Sequence, residues 1–209
     1  MVVTGLMAAP RAVVFDFGGV LTREPDRNAV VMFLRESFHL SAAEFERVNQ
    51  EKRQSVKQGK SDEGFWLAYA QERGVMLPAN WVETFRSVMK QAIAVNPDMY
   101  FLVEELQREG VRVALLSNVD EGMARRIREF GFYAPFDPCL LSCDMGMIKP
   151  DPKIYEMLLE ELQLSAEQVV FIDDRLENVE AARLLGIDAI GFESEAQLRA
   201  ELHQRGLLM

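Results

Sequence analysis

Four short runs do most to limit what this chain can fold into: AVVFDF (12–17), VRVALLS (111–117), QVVFID (168–173) and DAIGF (188–192). Each is continuously apolar and rich in β-branched residues, the pattern of strands covered on both faces of a parallel sheet. A fifth, weaker candidate is PCLLS at 138–142. Helical patterns lie between them. Met99, Leu102, Val103 and Leu106 follow an i, i+3, i+4, i+7 spacing that Gly110 closes, and Met123, Ile127 and Phe130 mark a second helix ending at Gly131. A third starts at KPDPKIY, with Asp151 as N-cap and Pro152 in the first helical position. Strands alternating with helices from about residue 97 predict an α/β fold with a doubly wound parallel sheet.

Residues 23–96 break the alternation. Val30, Phe33, Leu34 and Phe38 read as one helix, Ser41 with Glu44 as a capping box opens another, SDEGFWLAYAQERG is a third, and Val82, Phe85, Met89 and Ile93 mark a fourth. With 209 residues the chain has room for one large domain with a modest insert. The expected organisation is therefore a catalytic core of 11–22 and 97–209 with a helical cap of 23–96 inserted after the first strand. An insert leaving the carboxyl end of a strand lands where open α/β sheets bind ligands, so it is placed to act as a lid.

Charge narrows the partners. With 23 basic against 33 acidic residues the net charge is −10, which offers no footprint for nucleic acid or anionic lipid. No apolar run approaches membrane-spanning length, and MVVTGLMAAP reads as a loose leader rather than a signal peptide. The two cysteines, Cys139 and Cys143, have no second pair to complete a metal site and read as reduced structural thiols. A cytoplasmic protein, monomeric or homodimeric, is the expectation.

The carboxyl ends of the strands carry the chemistry. Asp16 ends the first run, Ser117 and Asn118 end the second, and Asp173 and Asp174 the third, while MGMIKPDP places Lys149 just before a helix. In a parallel sheet these ends share one edge. Taken singly, Asp16 also fits a turn or cap, Ser-Asn is an ordinary turn pair, and Lys149 fits a solvated loop. The adjacent carboxylates of Asp173 and Asp174 repel each other, and a hard cation such as Mg²⁺ is the usual compensation. Together the set suits phosphoryl transfer: a carboxylate attacks phosphorus, a cation and an ammonium neutralise charge, and a hydroxyl with backbone N–H groups holds the remaining oxygens.

The motifs VFDFGGVLT, LLSN, KPDPKIY and FIDDRLENVEAARLLGI, in this order with a helical insert after the first, resemble the haloacid dehalogenase superfamily from about residue 11 to 192, and within it the capped phosphatases. The resemblance implies Asp16 as nucleophile and metal ligand, Ser117 and Asn118 as phosphate binders, and Lys149 as charge neutraliser and substrate contact. It also implies Asp173 and Asp174 as Mg²⁺ carboxylates, the carbonyl of Gly18 as a metal contact, and Asn178 as a residue supporting the metal site, although Asn178 reads equally as a surface residue of its helix.

One position departs from the pattern. Most phosphatases of the superfamily carry a second Asp two residues after the nucleophile as general acid and base, and here that position is Gly18. Three readings follow. The first is a Mg²⁺-dependent phosphomonoesterase acting on a small-molecule phosphate ester, a sugar phosphate being one candidate. The second is a 2-haloacid dehalogenase, whose halide leaves unprotonated but which lacks the acid pair. The third is a non-catalytic binding or scaffold protein, which an intact Asp16, Lys149 and Asp174 disfavours. In the cap, Arg23, Glu24, Lys60 and Trp66 are candidates for substrate contact, each also readable as a surface or core residue.

Overall fold

A computed structural model describes residues 10–23, 27–57 and 61–209. Its sheet has five strands, β1 (Ala12–Phe15), β2 (Arg112–Ser117), β3 (Cys139–Leu141), β4 (Val169–Asp173) and β5 (Asp188–Gly191), in the order β3-β2-β1-β4-β5. Every pairing is parallel. β1 is therefore central, and all of its residues are buried. The strands are slightly shorter than the apolar runs, because the polar residue closing each run already belongs to the loop or ends the ladder. The weak run at 138–142 supplies β3, a three-residue edge strand.

The chain divides into two compact units, one formed by residues up to Arg23 with Val95–Met209 and the other within Glu24–Ala94. In the first, α5 (Pro97–Arg108), α6 (Glu121–Glu129), α7 (Ser142–Met145), α8 (Pro152–Leu162), α9 (Leu176–Leu184) and α10 (Glu195–Gln204) connect or flank the strands. Alternate strand residues pack one way. Ala12, Val14, Ala114, Leu116, Val169 and Phe171 form one cluster with Ile154, Tyr155 and Leu158 of α8 and Val179 and Ala182 of α9, as the period-2 alternation of strands requires. α8 opens as its sequence predicts, with the Asp151 side chain accepting from the Lys153 N–H at 3.0 Å and Pro152 at its first position.

The second unit holds α1 (Arg27–Phe38), α2 (Ala42–Lys57), α3 (Asp62–Arg73) and α4 (Trp81–Gln91). Ser41 and Glu44 form the expected capping box, the Ser41 N–H donating to Glu44 at 2.9 Å and the Glu44 N–H to Ser41 Oγ at 3.3 Å. The interior is aromatic: Trp66 stacks on Phe38 with centroids 5.0 Å apart and on Phe45 at 6.2 Å, and Trp81 stacks on Phe85 at 5.1 Å. Trp66 is only 1% exposed. Of the two readings of Trp66, substrate contact and core, the core one holds: it is the centre of this unit's core. The Arg23 guanidinium is likewise engaged elsewhere, by Asn96 Oδ1 at 2.9 Å and Asp98 at 3.1 Å. Glu24 and Lys60 lie outside the described residues.

The two chain segments bounding the insert are joined on the core side. Thr22 and Val95 form an antiparallel bridge, and the Asn96 N–H donates to the Leu21 carbonyl at 2.8 Å. No helix among the described residues is long and apolar enough to cross a membrane.

Candidate active site

Register builds the site. Phe15 pairs with Leu115 on β2 and Ile172 on β4, so one step further Asp16 stands level with Leu116 and Asp173. The Asp16 N–H prolongs the ladder by donating to the Ile172 carbonyl at 2.8 Å. Two carboxylates are thus set side by side at the carboxyl ends of the neighbouring strands β1 and β4, at the point where the sheet's winding changes direction.

Lys149 reaches between them. Its ammonium donates to Asp16 Oδ1 at 2.8 Å, to Asp173 Oδ2 at 2.6 Å and to the Leu116 carbonyl at 2.7 Å, which uses all three of its N–H bonds. It is 2% exposed and lies 5.3 Å from the centroid of the Phe171 ring, within cation–π range. An ammonium this buried is tolerated because every donor is paired, two of them with carboxylates.

Asp173 is fully buried, and four contacts converge on its carboxylate. Oδ1 accepts from the Arg175 N–H at 2.9 Å and from Asn178 Nδ2 at 2.9 Å, and Oδ2 from Asn178 Nδ2 at 3.0 Å and from Lys149. It thus enters the site already bonded, and it organises its neighbours. Asn178 is buried rather than a surface residue of α9, and its Oδ1 has no hydrogen-bond partner. Tyr155, in the KPDPKIY motif, holds that turn of α9 by donating to the Asn178 carbonyl at 3.0 Å.

Asp174 is exposed, and its carboxylate lies against Gly19. Gly19 has φ +78°, a backbone conformation that favours glycine, and a Cβ there would stand 2.7 Å from the Asp174 carboxyl carbon, so an added methyl group would push that side chain aside. Gly18 differs: it is exposed, its φ is not in the left-handed region, and a Cβ added to it meets nothing within 4 Å. Thr22 braces this loop, its hydroxyl accepting from the Gly19 N–H at 3.3 Å and donating to the Phe17 carbonyl at 3.4 Å.

The charge balance favours a cation. Asp16, Asp173 and Asp174 place one carboxylate oxygen each within 4.8 Å of one another. Burial, opposed by Lys149 and reinforced by Asp173, pushes the Asp16 carboxyl up to about 6. The Asp174 carboxyl is also raised, first by desolvation and then by Asp173. Three acids facing one bonded ammonium, beside the unpaired Asn178 Oδ1, fit a divalent cation with a hydrated shell.

Ser117 closes β2 and is buried at the same sheet edge. Asn118 follows it, but its amide is committed to Lys149, donating from Nδ2 to the Lys149 carbonyl and accepting from the Lys149 N–H, both at 2.8 Å. Ser142, which the sequence reading missed, makes a similar pair with Val119, accepting from its N–H at 2.9 Å and donating to its carbonyl at 3.1 Å. The rule that found Ser117, a polar residue closing an apolar run, applies equally to Ser142 at the end of PCLLS. Both cysteines are free, and burial pushes the Cys139 thiol up to about 11.

Comparison with known proteins identifies the family. A sesquiterpene phosphatase of Aspergillus oryzae is 34% identical over 113 residues, covering 53% of this chain and 58% of that protein. The bifunctional epoxide hydrolase 2 of Mus musculus is 29% identical over 219 residues, covering 94% of this chain. The chain spans 39% of that enzyme's length, so it matches only part of either relative. A solved dehalogenase with a bound intermediate shares the fold at a TM-score of 0.54 and 23% identity, covering 90% of this chain and 86% of its own. The family model of the haloacid dehalogenase-like hydrolases matches residues 10–186, a span that includes every strand-end acid, Lys149 and Asn178, and the chain belongs to that family.

Proposed function

We propose that this hydrolase is a divalent-cation-dependent phosphomonoesterase that works through an aspartyl-phosphate on Asp16. The observation that carries the reading is the Lys149 ammonium bonded to Asp16 and Asp173 inside a cluster of three carboxylates. A dehalogenase has the same fold, so the fold does not choose between reactions. The excess of acids supports the phosphatase reading, because halide displacement leaves no anionic ester oxygens for a cation to neutralise. The phosphatases among the chain's relatives support the same choice.

The chain's own residues divide the work. A carboxylate oxygen of Asp16 attacks phosphorus, the bond from phosphorus to the ester oxygen breaks, and the alkoxide that leaves takes a proton from solvent. Water then cleaves the acyl phosphate, returning Asp16 and releasing inorganic phosphate. Lys149 offsets charge as the anionic nucleophile meets an anionic substrate, and the Ser117 hydroxyl with main-chain N–H groups of the following loop holds phosphate oxygens. Asp16, Asp174 and the Gly18 carbonyl would hold Mg²⁺, with Asp173 and Asn178 orienting it. When bound, the cation supplies Lewis-acid neutralisation of the phosphate oxygens. Small phosphate esters, sugar phosphates among them, are the proposed substrate class.

Phosphate release from a panel of phosphomonoesters, with Mg²⁺ and with chelator, tests this. Activity should require the cation, and Asp16→Asn should abolish it while the circular dichroism spectrum is kept. Halide release from 2-haloacids that persists in chelator would replace the reading with the dehalogenase one. No turnover of either class would leave a binding protein.

A further inference from the structure

We propose that Asn118 is a positioning residue for Lys149 rather than a contact for the phosphoryl group, its side chain gripping the lysine main chain so that the ammonium meets Asp16 and Asp173. The catalytic half of this inference rests on the phosphatase reading; the positioning half does not. Lysine is a poor residue to hold still, because a four-carbon stem with many rotamers lies between its charge and its backbone. Lys149 also sits in the loop between α7 and α8, outside any helix or strand that would fix its Cα. The structure fixes it from both ends. At the main chain, the Asn118 amide takes the Lys149 N–H and carbonyl at 2.8 Å each, the two-bond pattern by which one strand residue grips another. At the ammonium, the Leu116 carbonyl accepts at 2.7 Å.

Both grips come from one stretch of three residues, Leu116 to Asn118, at the carboxyl end of β2. The sheet therefore determines the distance over which the lysine stem must stretch, and Nζ arrives where two carboxylates and one carbonyl satisfy its three donors. An Asn amide spent on both polar groups of a peptide 31 positions away is spent on geometry. The neighbouring clamp of Ser142 on Val119 has the same form but touches no ionised group, which makes it the internal control.

Lysine labelling by trinitrobenzenesulfonate, read peptide by peptide by mass spectrometry, tests the positioning without turnover. Lys149 should be protected in the wild type relative to exposed Lys153, and Asn118→Ala should raise its labelling rate about tenfold through local opening, with Lys153 unchanged. Ser142→Ala should leave Lys149 protected. Asn118→Asp, which keeps the acceptor for the Lys149 N–H and loses the donor to its carbonyl, should label at an intermediate rate and stands in if Asn118→Ala does not fold. A double-mutant cycle tests the catalytic half: Asn118→Ala should lower kcat in the wild type and add less than about twofold in a Lys149→Met background. Unchanged Lys149 protection in both Asn118 variants would overturn the positioning role. Multiplicative losses in the cycle, with a raised KM, would return Asn118 to phosphate binding. Failure to hydrolyse any phosphate ester would refute the function proposed above while leaving the labelling result to decide on Asn118.

Discussion

Two neighbouring glycines carry opposite burdens. Gly19 combines φ +78° with an Asp174 carboxyl that leaves no room for a methyl group, whereas Gly18 has ordinary backbone and open space. Gly19→Ala should therefore cost about 1–2 kcal/mol in unfolding free energy from the left-handed backbone alone and weaken Mg²⁺ binding by displacing Asp174. Gly18→Ala should stay within about 0.5 kcal/mol of wild type and bind Mg²⁺ normally. Calorimetric titration and chemical denaturation of the two variants distinguish them. The open space at Gly18 also makes Gly18→Asp a clean addition of an acid. That variant should raise rates on alkyl phosphates, whose leaving groups need a proton, more than on aryl phosphates. Equal changes on both would mean that bond cleavage to a poor leaving group is not what limits the wild type. Asn118 marks where residue-scale reading stopped. Ser-Asn looks like any turn pair because its partner, the main chain of Lys149, is far along the chain and leaves no local pattern. Trp66 was ambiguous for the same reason: only folding brings Phe38 and Phe45 onto its ring.

Strands were legible because being covered on both faces makes them continuously apolar, and the polar residues that interrupt the runs are those at the sheet edge. The short β3 and α7 were less so, since three or four residues hold too little periodicity, and α10 has only Leu198 and Leu202 buried. The position of β1 between β2 and β4 has an electrostatic effect that sequence does not reveal. It buries Asp16 beside Asp173, lifting its carboxyl from 3.8 to about 6. An acid raised in the folded state holds its proton there longer than in the unfolded chain. Metal-free protein should thus lose about 3 kcal/mol of stability as pH rises from 4 through 6. Asp16→Asn removes the titrating group, so its unfolding free energy should lack this fall and should exceed that of metal-free wild type above pH 6. Urea denaturation in chelator from pH 4 to 8 measures the difference between the two proteins, in which titrations remote from Asp16 cancel. Parallel pH profiles for the two would mean that Lys149 fully offsets the burial of Asp16. Saturating Mg²⁺ should restore the wild type, since a ligand of the folded state stabilises it by mass action.

At the scale of the whole molecule, the helices α1 to α4 of the unit Glu24–Ala94 were readable from the break in alternation at residues 23–96. The joint between chain segments was not, because the Thr22–Val95 bridge pairs residues on opposite sides of the insert. That joint makes the helical unit a cassette. Its two ends are already held at strand-pairing distance by the core, so a two-residue Asn-Gly turn could replace residues 23–94 and close Thr22 onto Val95 as a hairpin. Every acid of the carboxylate cluster, Lys149, Asn118 and Asn178 would remain in the shortened chain. The excised protein should unfold cooperatively and still take up Mg²⁺, and a molten circular dichroism signature or loss of cation binding would count against it. If it folds, helical units of other lengths and surfaces could be spliced into the same two positions, and the chain would be a socket for interchangeable helical modules whose exchange leaves the acid cluster and its lysine unchanged.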